Sequence, residues 1–149
     1  MTVKKVSVNQ IACSPEIDRL EKEYTEECAH EFFREGRIDW DTYRWMENLG
    51  LLTVFGVYDP DRRLQGFAAM VKSKSLHKGI TTCILETVFV SQCLRPTGLG
   101  GLLLLRCKRA AKAMGAKVLI VNAPVGSSLA VSMSSRTGGP AYQSYFWEV

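Results

Sequence analysis

The residues best equipped for chemistry lie in one stretch, Glu86-Thr87-Val88-Phe89-Val90-Ser91-Gln92-Cys93-Leu94-Arg95-Pro96-Thr97-Gly98-Leu99-Gly100-Gly101. An apolar segment runs into a loop holding one arginine and three glycines, and an apolar helix starts inside that loop. The first turn of a helix carries N–H groups without intrahelical partners and the positive end of the dipole, so it attracts anions. Gly98, Gly100 and Gly101 would let a phosphate approach the backbone with no β-carbon in the way. Arg95 adds a fixed charge and a forked donor. Together these groups are expected to cradle a diphosphate. Glu86 is the only acid between Asp61 and Glu148. Strict alternation places it on the face of Val88 and Val90, where apolar surroundings would raise its pKa and fit it to take a proton from an ammonium. The alternative for Glu86 is a structural or exposed carboxylate.

These residues need elements to hold them. Val3, Val6, Val8 and Ile11 read as a first strand. Ser14-Pro15-Glu16 reads as the start of a helix whose apolar face is Ile17, Leu20, Tyr24, Cys28 and Phe32, stopped by Gly36. Asp39 caps a second helix bearing Trp40, Tyr43, Met46 and Leu49, ended by Gly50. Leu51 to Tyr58 and Leu64 to Val71 flank the turn Asp59-Pro60-Asp61-Arg62 and should form an antiparallel hairpin. A third strand runs from about Thr82 to Val90, a long helix from Gly98 to Met114, and a buried-looking strand from Lys117 to Asn122. Pro124 to Ser135 is a short helix or loop, and Tyr142 to Val149 a final strand. Strand, helix, strand across 82–122 requires a parallel pair. The fold class is therefore α/β (α+β), a mixed and mostly antiparallel sheet with helices on both faces, in a single domain over 1–149.

The chain has 149 residues, 46% hydrophobic and 23% charged, which suits one globular domain rather than a disordered one. No apolar run approaches the roughly 20 residues of a membrane helix, and the N-terminus lacks a secretory pattern. The net charge of +4 suits an anionic ligand and is weak for nucleic-acid binding. Five scattered cysteines without a Cys-x-x-Cys pair argue against a disulfide framework or zinc knuckle. A cytoplasmic setting is expected. With only His30 and His77 available, no metal site is expected. Cys93 is expected to pack as a free thiol, His30 to sit on a helix surface, and Glu21 to Glu31 to form a solvated face.

Two familiar phosphate loops fail here. No Lys-Ser/Thr follows the glycines, as a Walker loop needs. The glycines read Gly-x-Gly-Gly, late in the chain and with no acid near position 120, which excludes a dinucleotide fingerprint. Val90, four residues, Arg95-x-x-Gly98-x-Gly100, then a helix closing on Ala111, Ala113 and Gly115 before Lys117-Val118-Leu119-Ile120-Val121-Asn122 resembles the signature of the GCN5-related N-acetyltransferases (GNAT). The likeness is good over roughly 51–122, holds only in element order before that, and is poor at the C-terminus.

That resemblance implies an acetyl-CoA-dependent N-acetyltransferase. The diphosphate would lie on the amides of Arg95, Thr97, Gly98, Leu99, Gly100 and Gly101. The pantetheine would pair with main chain at Val88 and Val90, in a cleft closed on the far side by the strand ending at Asn122. An amine acceptor would attack the acyl carbonyl directly, with Glu86 as base. The family's acid, a tyrosine on the last helix, corresponds here to Ser134, and Tyr142 or Tyr145 could reach in instead. Trp40, Tyr43 and Trp45 would be core or partner-facing before they are acceptor-binding. The alternatives are a non-catalytic GNAT-fold domain in a complex, or a nucleobase-modifying enzyme of phage type on the same fold. A homodimer completed through the last strand is a further expectation.

Overall fold

The change of period along the chain sets the layout, and the computed structural model describes all 149 residues, Met1–Val149. Strands β1 (Thr2–Val6), β2 (Leu52–Tyr58), β3 (Leu64–Lys74), β4 (Thr81–Val90) and β5 (Val118–Val121) form one sheet in that order. The first three junctions are antiparallel and β4–β5 is parallel. The helices are α1 (Val8–Ala12), α2 (Ile17–Cys28), α3 (Trp40–Asn48), α4 (Leu99–Ala113) and α5 (Ser128–Thr137). The mixed sheet with helices on both faces is as expected.

Alternation along the strands divides the core in two. On one face Phe55, Ala68, Met70, Cys83 and Leu85 meet Leu103, Leu104, Cys107 and Ala111 of α4. On the other, Leu52, Val54, Phe67, Ala69 and Phe89 meet α1 and α2 through Val8, Ile11, Ile17 and Leu20, while Trp40 and Tyr43 of α3 pack alongside. All five cysteines are free thiols, and burial pushes Cys107 up to about 12. Cys93 is exposed rather than packed.

Several sequence expectations are corrected. The first strand ends at Val6, because Ser7 opens α1 with a capping box. Its hydroxyl accepts from Gln10 N (3.2 Å) while Gln10 Oε1 accepts from Ser7 N (2.9 Å). Val8 and Ile11, three apart, then bury one helical face. Helix α2 stops at Cys28 rather than near Gly36. Ala29 is extended, and His30 Nδ1 accepts from Phe32 N at 3.4 Å to cap a separate 3-10 turn over Glu31–Phe33. Ser14 caps nothing, since its hydroxyl is spent on Glu16 (2.6 Å). Strand β5 is an open edge, with Val118 and Ile120 exposed rather than buried. Residues 142–149 form no strand. Tyr142, Tyr145 and Trp147 lie exposed, and Phe146 packs edge-on against His30 and Phe33.

Strands β3 and β4 approach closely at Gly66. A β-carbon there would lie 2.4 Å from Phe89 O and 2.9 Å from Val90 Cα, both backbone atoms. Gly66→Ala is therefore expected to cost roughly 2–3 kcal/mol, the range of an overpacked interior. A urea melt checks this, and a cost under about 0.5 kcal/mol would contradict the close approach.

Candidate functional site

Strands β4 and β5 are paired only from Thr82–Val118 to Leu85–Val121. Beyond Leu85 they part. The β3–β4 register explains where: Ala69 faces Thr87 and Met70 faces Leu85, so Glu86 is the extra residue of a β-bulge. The divergence opens a cavity of about 240 Å³ that reaches both layers of the fold. Leu85, Glu86, Val88 and Val90 form one wall and Asn122 the other. Gly100 and Gly101 of α4 close one end, Tyr24 and Cys28 of α2 another.

The loop before α4 turns sharply on glycine. A 3-10 turn over Gln92–Thr97 leads into Gly98, whose φ of 79° puts it in the left-handed region and turns the chain into α4. No side chain caps α4, so its first-turn amides are left to a ligand or to water. A β-carbon on Gly100 would meet nothing within 4 Å. One on Gly101 would lie 3.1 Å from Arg136 Nη2, so a guanidinium from the end of α5 stands over the loop. Arg136 makes no ion pair with a carboxylate; its Nε reaches Ser132 Oγ at 3.4 Å. It is the sole cation after Lys117 and the one sequence signal that could have flagged it. Thr97, Gly98 and Leu99 do not line the cavity. The Leu99 side chain is buried in the core, and the Thr97 hydroxyl donates to Leu94 O.

Arg95 lines the cavity but is already engaged. Its Nε donates to Val90 O at 3.0 Å, its Nη1 and Nη2 donate to the Glu27 carboxylate, and its guanidinium lies 5.4 Å from the Phe89 ring centre. Beside it Ser91 Oγ donates to Glu23 Oε2 (2.8 Å) and accepts from Arg19 Nη1 (3.1 Å). Glu23 and Glu27, one turn apart on α2, thus clamp the loop that leads into α4. The expected solvated acidic face is corrected accordingly: Glu21 also has a task, accepting from Ile38 N at 2.9 Å.

Hydrogen bonds from Arg95 hold the Glu27 carboxyl below the usual range, against the opposing effect of burial. A depressed folded-state pKa gives stability that is present above the unfolded value, about 4.3, and lost as pH falls through the folded value. Both side chains stay 29–30% exposed, so screening limits the effect. Glu27→Gln is expected to cost about 1 kcal/mol at pH 7 and much less at an acid pH where Glu27 is protonated in the folded protein as well. Urea melts at the two pH values check this; an equal cost at both would contradict the clamp.

Glu86 departs from its expected surroundings. The bulge interrupts alternation, so it does not share the α4 side with Val88 and Val90, and its side chain is exposed at the cavity wall. The apolar burial expected of it is missing. Its charge reaches the other layer, where it contributes to raising Tyr24 and Tyr43, both pushed up chiefly by burial. The Tyr43 hydroxyl bonds Thr87 Oγ1 at 3.3 Å. Burial also raises the Cys28 thiol. Ser134 is exposed and does not line the cavity; Ser132 does, while Tyr142 and Tyr145 lie outside it.

The chain matches no family model and no curated protein sequence. Solved structures do match along its whole length. A mutant protein of Bacillus halodurans superposes with a TM-score of 0.77 at 15% identity, covering 100% of this chain and 99% of that one. A ribosomal-protein-alanine N-acetyltransferase from Brucella melitensis biovar Abortus gives 0.70 at 15% identity, with 100% of both chains covered. An aminoglycoside acetyltransferase from an uncultured soil metagenomic sample gives 0.71 at 18%, covering 99% and 96%. The chain has the fold of the GNAT acetyltransferases. The sequence resemblance rested on Arg95-x-x-Gly98-x-Gly100 and its flanks; the GNAT likeness in fold extends to α1, α2 and α3 and to the C-terminal helix as well.

Proposed function

We propose that the protein is an acetyl-CoA-dependent N-acetyltransferase. The observation that carries this reading is the uncapped first turn of α4, with glycine at 100 and 101 and the Arg136 guanidinium above it, opening onto the cavity between β4 and β5. Unpaired amides, a helix dipole and an unpaired guanidinium favour a diphosphate of two or more charges. They suit it better than a neutral ligand, which would leave Arg136 beside the positive end of a helix. The likeness to acetyltransferases in fold points the same way.

Bound there, acetyl-CoA supplies an activated acyl group as a thioester. The chain's own part is to grip and align. Gly100, Gly101 and Arg136 hold the anionic end, Arg95 adding what its bonds to Glu27 and Val90 leave free. The walls from Leu85 to Val90 and at Asn122 hold the arm extended between the diverging strands. Glu86 stands where the bulge breaks the sheet and takes a proton from the incoming ammonium, directly or through water. Direct attack by the amine fits better than an acyl-cysteine route, because burial keeps the nearby Cys28 thiol protonated. The acceptor is an amine, and a cytoplasmic site of action is proposed with it.

The test is a melting curve with acetyl-CoA at 100 times its dissociation constant. About 2.7 kcal/mol of added stability should raise the midpoint by roughly 5–10 °C. No shift with acetyl-CoA or with longer acyl-CoAs would overturn the reading.

A further inference from the structure

The proposed reaction expels a thiolate, and neither α5 nor the segment after it offers an acid: Ser134 is exposed and does not line the cavity, nor do Tyr142 and Tyr145. One phenol does line the cavity. Tyr24 comes from α2, its ring set edge-on to Phe89 with centres 5.9 Å apart and planes at 85°. That packing holds the ring on the wall formed by β4. The hydroxyls of Tyr43 and Tyr145 are bonded to Thr87 and Gln143, whereas the Tyr24 hydroxyl has no partner and is not sealed from solvent. A phenol without a partner on the cavity wall, across the sheet from the first turn of α4, is placed for the far end of an arm anchored there.

We propose that Tyr24 is a catalytic residue of the acyl transfer described above, on which this inference rests, its hydroxyl donating to the sulfur that leaves when the amine attacks. The C–N bond forms as the C–S bond breaks, and the electron pair of the latter stays on sulfur. The Tyr24 proton passes to that sulfur, giving the free thiol. Of the two protons the ammonium nitrogen sheds, one returns to Tyr24 by way of Glu86 and the other leaves to solvent. Burial first, then Cys28 on its own helix, Tyr43 on α3 and Glu86 on β4, push the Tyr24 phenol above its ordinary pKa, so it keeps its proton at neutral pH. The Glu27–Arg95 pair flanks the same wall.

The test needs no acceptor. Calorimetric titration of free CoA and of desulfo-CoA, which lacks the sulfur, is made at pH 7 and pH 9 on the wild type and Tyr24→Phe. Removing a hydroxyl that has no partner leaves the ring's packing on Phe89 intact. The wild type should gain about 5- to 10-fold in affinity for CoA relative to desulfo-CoA as the thiol ionises, since a hydrogen bond to a charged acceptor is among the stronger ones. Tyr24→Phe should lose that gain and bind desulfo-CoA as the wild type does. The same pH gain in both proteins, no gain in either, or weaker desulfo-CoA binding by the variant would overturn the role of Tyr24 alone. No binding of either compound by the wild type would overturn the proposed function and this inference with it.

Discussion

Gly100→Glu should abolish acetyl-CoA binding, by 100-fold or more, in a protein that melts no lower than the wild type. The two halves of this expectation have separate causes. A β-carbon at position 100 meets nothing within 4 Å, so the fold has room for the side chain. Replacing a helical glycine gains up to about 1 kcal/mol of helix propensity, and an acid in the first turn gains a few tenths more from the dipole. The same carboxylate puts a negative charge where the diphosphate should sit and fills the space it needs. Titration calorimetry and a thermal melt of the variant read the two halves independently. Affinity within threefold of wild type would remove the anion loop from the account. Position 98 is no substitute for this test: at φ 79° any side chain there is strained, and lost binding would be confounded with lost fold.

Glu86→Gln should lower kcat for acetyl transfer to an amine acceptor by about 100-fold or more, the lower range of general-base contributions, with acetyl-CoA affinity nearly unchanged. Glutamine keeps the size and hydrogen-bonding capacity of the side chain and loses the ability to take a proton. Glu86 is exposed at the bulge and has no hydrogen-bond partner in the fold, so stability should move by less than about 0.5 kcal/mol. Thiol release measured under saturating acetyl-CoA gives kcat. A loss under threefold would assign the proton to water or to another group. Both variants should be compared at fixed salt, because the loop is electrostatic and screening changes its affinity.

Local signals explain what could be read in advance. The hairpin from Leu52 to Lys74 announces itself through two apolar runs and Asp59-Pro60-Asp61-Arg62, and Asp59 does accept from Arg63 N at 2.9 Å to fix that turn. Asp39 marks the start of α3 because its side chain has one short-range task, accepting from Thr42 N at 3.0 Å. The glycines at 98, 100 and 101 were legible for the same reason. What stayed hidden depends on distant partners. Val8 and Ile11, three apart, suit a helix better than a strand, but so short a run continues the apolar pattern of Val3 and Val6, and only the Ser7–Gln10 box decides it. The bulge at Glu86 is set by how β3 pairs with β4, so no pattern within β4 reveals it, and with it goes the expected facing of Glu86. Glu23 and Glu27 look like a solvent-facing pair until Ser91 and Arg95, more than sixty residues on, close against them. Arg136 and Tyr24 enter the site only because α5 and α2 converge on one cavity.

The most direct measurement is an amide-resolved NMR titration of the wild type with CoA. The largest shifts are expected at the N–H groups of Leu99, Gly100 and Gly101, together with the Arg136 guanidinium, and desulfo-CoA should reproduce them because the diphosphate rather than the thiol acts there. Binding that leaves those four signals unmoved, with its shifts concentrated elsewhere on the surface, would contradict that placement.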